Sequence, residues 1–168
     1  MLINKTPLRI LGINPGWRYL AIAVFDNSEL REWRLKGLEG KGMPKKKKKV
    51  NEILSALIDR YGPNILAIKK LHPSRCSVHL VKLAAEIRDY CSKRGMKISS
   101  YSIGDLEDFL FPGERINKTR LAQSLAANFP ALKHEWIREE QNRNPYFIRL
   151  FEAVALGLVC YRRNNRNN

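Results

Sequence analysis

The sequence predicts an α/β domain built on a mixed five-stranded sheet, an antiparallel meander followed by parallel strands, flanked by helices. Three observations carry that prediction. Residues 8–36 hold three strand-like apolar runs in immediate succession. The strands that follow alternate with helical patterns. One of them, Asn64-Ile65-Leu66-Ala67-Ile68, is continuously apolar, as expected of a strand buried on both faces.

The first strand covers residues 8–13 and runs into the tight turn Asn14-Pro15-Gly16. The second covers 19–25, and the third runs from about 30 to 35, with Asp26-Asn27-Ser28 supplying hairpin chemistry between them. Residues 37–44 are rich in glycine and offer little that packs, which reads as a mobile loop. After Lys45–Lys49, the residues Val50, Ile53, Leu54, Leu57 and Ile58 recur at helical spacing until Tyr61-Gly62-Pro63 stops the helix. Beyond the buried strand and Pro73, a second helix is expected over 78–94, with Leu80, Leu83, Ala84 and Ile87 inward and Gly95 as its stop. Residues 97–101 form the last strand. A short helix over 104–111, a longer one over 117–128 and a strongly apolar one opening at Asn144-Pro145 complete the chain. The strong elements thus run β-β-β-α-β-α-β-α-α.

The length of 168 residues fits one domain, expected over 1–161, with 162–168 as a basic, disordered tail. Thirty-one Lys and Arg against 16 Asp and Glu give a net charge of +15. Such an excess favours a polyanionic partner, because every cation set against a phosphate releases counterions. Cys76, Cys91 and Cys160 are odd in number and lack zinc spacing, so reduced thiols in a cytoplasmic setting are expected. No apolar run approaches the roughly 18 residues of a membrane span. Residues 1–6 lack the apolar core of a signal peptide.

Three segments carry a resemblance. The first strand closes in Gly12-Ile13-Asn14-Pro15-Gly16, the fourth in Ala67-Ile68-Lys69, and the last helix holds Arg149-Leu150-Phe151-Glu152-Ala153-Val154-Ala155. With the order of elements and the helix start Asn117-Lys118-Thr119, these make the chain resemble the RuvC-type Holliday-junction resolvases, a branch of the RNase H-like fold. That family shows Gly-Ile-Asp-Pro-Gly, Ala-Ile-Glu and Asp-x-x-Asp-Ala-Leu-Ala at these places. The resemblance covers about residues 8–161.

The resemblance implies two-metal phosphodiester hydrolysis, in which two Mg²⁺ ions roughly 3.5–4 Å apart activate water and steady the leaving oxygen. Such ions require oxygen ligands, several of them anionic. At the four matching positions stand Asn14, Lys69, Arg149 and Glu152, so a formal charge of −4 becomes +1. No bound metal and no inherited cleavage are expected. Lys69 or Arg149 paired with Glu152 would turn a metal site into an ion-pair site. A shifted alignment does not restore the site, because no acidic residue lies in the first or fourth strand segment and Glu135, Glu139 and Glu140 precede the last helix.

Candidate nucleic-acid contacts are Lys45, Lys46, Lys47, Lys48 and Lys49, crowded where the flexible glycine-rich loop meets the start of the first helix, Trp17 and Arg18 after the Pro-Gly turn, Arg75 in the turn into the second helix, and Lys118 and Arg120. The plainer readings are a solvated basic run, an aromatic covering the core edge, and Ser77 as a simple helix cap. His72, His79 and His134 form no ligand set, and the serines have no evident His/Asp partners. Three functions follow. The favoured one is a catalytically inactive, resolvase-like protein binding branched or duplex DNA. An active Mg²⁺-dependent junction endonuclease with relocated ligands is the second. The third is a protein-interaction module, a homodimer through the 78–94 region as the resemblance implies.

Overall fold

The computed structural model describes residues 6–142 and 147–166, without the side chains of 139–142. Five strands form one sheet: β1 (Arg9–Asn14), β2 (Tyr19–Asp26), β3 (Glu29–Gly37), β4 (Ile65–Lys69) and β5 (Lys97–Tyr101). Their order across the sheet is β3-β2-β1-β4-β5. β1, β2 and β3 pair antiparallel, whereas β4 lies parallel to β1 and β5 parallel to β4. The expected meander and parallel half are both present. The hairpin between β2 and β3 turns at Asn27, whose positive φ of 52° suits the short polar side chain there.

Among the described residues, six α-helices cover the sheet: α1 (Met43–Tyr61), α2 (Val78–Lys93), α3 (Ile103–Leu110), α4 (Lys118–Asn128), α5 (Lys133–Asn142) and α6 (Ile148–Arg166). Strand alternation divides the core in two. Leu11, Ile13, Leu20, Ile22, Leu66 and Ile68 point toward α1 and α2. Ile10, Ala21, Ala23, Phe25, Ile65 and Ala67 point toward α3, α4 and α6. Gly62, in the left-handed region at φ 57°, caps α1 by donating its N–H to Ile58 O at 2.9 Å.

Three expectations are corrected. The 37–44 stretch does pack: Leu38 is 3% exposed and its N–H donates to Arg18 O at 2.8 Å, which ties it to the core layer beneath α1 and α2. α1 begins at Met43, so the lysine run, expected where the glycine-rich loop meets the start of a helix, lies wholly on its first two turns. Residues 162–166 are not tail but helix, because α6 continues through Arg166, with Asn164 Nδ2 donating to Cys160 O at 2.8 Å. The helix start expected at Asn144-Pro145 and residues 167–168 lie outside the described residues.

α5 and the 3₁₀ turn Pro130–Leu132 before it were not expected from the sequence. Trp136 packs edge-on against Phe151 at 6.4 Å, and Glu135 accepts from Trp33 Nε1 at 3.0 Å. Two tertiary contacts therefore hold a helix whose own sequence is largely polar.

Candidate functional site

β1 and β4 are parallel and in register, with Ile13 opposite Ile68, so Asn14 and Lys69 emerge side by side at the carboxyl ends of neighbouring strands. The alternation that sends Ile10 and Ala67 toward α6 sends both of these residues there too. α6 lies unusually close to β1. A Cβ on Gly12 would come within 2.5 Å of Ala153 O, so only glycine permits the approach. Glu152, on the first turns of α6, is thereby brought directly over the ends of both strands.

The carboxylate of Glu152 is the hub of this arrangement. It is 2% exposed. Its Oε2 accepts from Asn14 Nδ2 at 2.7 Å and from Lys69 Nζ at 2.9 Å. Lys118 Nζ, from the start of α4, stands 3.5 Å from Oε1. That separation is long for a hydrogen bond but within ion-pair range, and Oε1 has no other partner among the described residues. Asn14 Nδ2 also donates to Arg149 O at 3.2 Å. Both neighbours of the amide are acceptors, which fixes the NH₂ end toward them.

Of the two expected cationic partners, Lys69 pairs with Glu152. Arg149 does not: its main-chain carbonyl serves Asn14, while its exposed guanidinium lies against Gly16.

These residues line a cleft of about 700 Å³ together with Trp17, Arg18, Arg75 and Lys118. Seven of the candidate positions from the sequence, besides Asn14, therefore meet in one place. Five cations (Arg18, Lys69, Arg75, Lys118 and Arg149) line the cleft with a single carboxylate, that of Glu152. The floor of the cleft continues to the start of α2, where Ser77 caps the helix by accepting from Leu80 N–H at 3.1 Å. A larger hollow of about 850 Å³ runs along the outer face of α1, but there Lys47 and Lys48 are balanced by Glu52 and Asp59. That hollow lacks the convergent charge of the cleft.

Other candidates fall outside it. Arg120 turns toward Glu114, 3.5 Å away. Lys47 pairs with Glu86 of α2 at 2.9 Å, and Lys45, Lys48 and Lys49 are exposed along α1. Lys46 is a correction. It is 4% exposed, donates to Leu38 O at 2.8 Å and sits 4.9 Å from the centre of the Trp17 ring, so it is a buried strut and not a phosphate contact. Its position was encoded in the spacing: Met43, Lys46, Val50, Ile53 and Leu57 form one helical stripe. Trp17 is half-buried between Lys46 and His79, whose ring centre is 5.6 Å away, and it forms one wall of the cleft.

The donor set does not suit a divalent metal. Glu152 is already engaged, Asn14 presents an NH₂ group to it, and the ammonium of Lys69 is within 3 Å of the same oxygen. Among the described residues, no group of three or more His, Cys, Asp or Glu side chains could hold a metal ion. A site for Mg²⁺ needs several free anionic oxygens, and here one carboxylate is shared among cations. Nor is any helix among the described residues long and apolar enough to cross a membrane.

No protein-family model matches the chain, and no curated protein sequence matches it. Solved structures do. The chain is similar to Thermus thermophilus RuvC at a TM-score of 0.72 and 12% identity, covering 95% of this chain and 97% of that one. It is similar to T. thermophilus RuvC in complex with a Holliday junction substrate at 0.67 and 13%, covering 94% and 96%. The fowlpox virus resolvase, in complex with its substrate Holliday junction DNA, matches at 0.59 and 14%, covering 92% and 99%. The chain has the fold of the RuvC-type Holliday-junction resolvases, and at the end of its parallel strands it carries a cationic cleft closed over one buried carboxylate.

Proposed function

We propose that this protein binds the phosphate backbone of DNA, branched or duplex, in the cleft between β1, β4, α4 and α6, and does not cut it by metal-dependent hydrolysis. The observation that carries this reading is the engagement of Glu152 by Asn14 and Lys69 in place of a cluster of carboxylates. Five cations around that carboxylate supply the attraction that a phosphodiester requires. The fold, shared with resolvases solved in complex with junction DNA, supports a branched duplex as the ligand.

The test is a four-way DNA junction titrated with protein in EDTA, then incubated with Mg²⁺ or Mn²⁺. Binding in EDTA is expected, with log affinity falling linearly in log salt by about 0.9 per phosphate engaged. No cleavage products are expected in either metal. Specific cleavage by the wild type that disappears in Glu152→Ala would overturn the reading in favour of an active endonuclease.

A further inference from the structure

We infer that Glu152 is a positioning residue, whose buried carboxylate holds the ammonium groups of Lys69 and Lys118 as a paired seat for one backbone phosphate. The inference rests on the nucleic-acid reading above and names how the cleft engages its ligand. It also assigns a role to the one acidic side chain in a cleft whose other charged groups attract a polyanion.

Four elements converge on this carboxylate. Glu152 comes from α6, Asn14 from β1, Lys69 from β4 and Lys118 from α4. Lys69 is partly buried and hydrogen-bonded, so its ammonium is fixed at the cleft floor. Lys118 is in a different situation. Its side chain is 60% exposed. It stands at the first position of α4, with no acidic residue in that turn, where the helix dipole disfavours a cation. A free lysine there would sample many rotamers and spend little time over the cleft. Two residues further on, Arg120 leans toward Glu114 instead. Among the described residues, Glu152 is the only acidic side chain within ion-pair range of Lys118.

A tether of this kind reverses the expected sign of a mutation. If Glu152 were only a leftover negative charge, removing it would strengthen phosphate binding by relieving repulsion. If it holds two cations ready, removing it makes the ligand bear the ordering of both, and binding weakens. Glu152→Gln keeps the size of the side chain and removes the charge, so it separates the two cases.

Junction affinity would be measured in EDTA at fixed low salt for the wild type, Glu152→Gln, Lys118→Ala and the double variant, with thermal unfolding as a check of folding. Glu152→Gln is expected to weaken binding about three- to tenfold although it makes the protein more positive. Lys118→Ala should weaken it to a similar degree and make the salt slope shallower by about 0.9. Because the two residues act together, the double variant should lose less than the product of the single losses. Unchanged or tighter binding by folded Glu152→Gln, or losses that multiply in full, would overturn the inference.

Should Glu152→Gln fail to fold, Lys118→Ala is compared with Lys93→Ala, which removes the same charge from an exposed pair with Asp89 on α2. A loss confined to Lys118→Ala supports the seat, and equal losses sink it. No binding by the wild type at roughly 50 mM salt would remove the nucleic-acid reading and this inference together. Tight wild-type binding that Glu152→Gln leaves untouched removes the positioning role alone.

Discussion

Asn14 does something a carboxylate at the same place could not: it donates. Its NH₂ group serves Glu152 Oε2 at 2.7 Å and Arg149 O at 3.2 Å, linking the end of β1 to the first turn of α6. Asn14→Asp would replace both donated bonds with repulsion between two buried carboxylates, only partly relieved by Lys69. A loss of stability of about 1–3 kcal/mol is expected, read as a lower urea midpoint. Since Lys69 remains in place, this variant should still take up no Mn²⁺ in calorimetry. Stability unchanged, or metal uptake by the single variant, would show that the amide is not the link described.

At the scale of elements, the caps decide where helices begin and end, and one of them titrates. Ser102 and Asp105 form a reciprocal box at the start of α3: Asp105 Oδ2 accepts from Ser102 N–H at 2.8 Å, and Ser102 Oγ accepts from Asp105 N–H at 3.0 Å. The main-chain bond from Ser102 holds the Asp105 carboxyl below its ordinary value of 3.8. A lowered folded-state value means the stabilisation is present above 3.8 and is lost as pH falls through the folded value. Asp105→Asn is therefore expected to be less stable by about 0.5–1 kcal/mol at neutral pH. The gap should close in denaturation series run below pH 3.8. A gap that persists in acid would mean the charge is not what the box uses.

Elements were legible where local chemistry fixed them. Gly62 and Gly95, both at positive φ, end α1 and α2 where the sequence places the stops. α5 was not legible, because its place depends on Trp136 meeting Phe151 and Glu135 meeting Trp33. In the site, Asn14, Lys69 and Glu152 were located by matching positions, and of the two partners expected for Glu152, Lys69 or Arg149, it is Lys69 that pairs. The tie between Glu152 and Lys118 was not, since it joins two helices whose packing no sequence pattern states. Lys46 was misread because a charge run draws attention away from the helical stripe on which one of its members falls.

Across the whole molecule the excess of +15 is unevenly committed. Lys47, Lys93 and Arg120 are set against neighbouring acids, and Lys46 is internal. The cleft instead gathers five cations around one carboxylate. α6 makes that gathering possible. Eleven consecutive residues of it, from Leu150 to Cys160, are buried, so it is enclosed on every side rather than along one stripe. Everything it packs on precedes it in the chain, and Glu152 meets Asn14 across 138 residues. Loop closure of that span is slow and opposed by entropy until the sheet exists to receive it. No cleft exists before α6 has docked. Amides in the middle of α6 should exchange with solvent only through global unfolding, at the full unfolding free energy. Junction DNA that binds only the folded protein should slow that exchange by a factor of one plus the ratio of free DNA concentration to its Kd. Rapid exchange in α6 while β1 stays protected would place the helix in a separate, looser unit. Otherwise, any partly folded form of this chain lacks the cleft, and on the DNA-binding reading proposed above, binding itself would report that folding is complete.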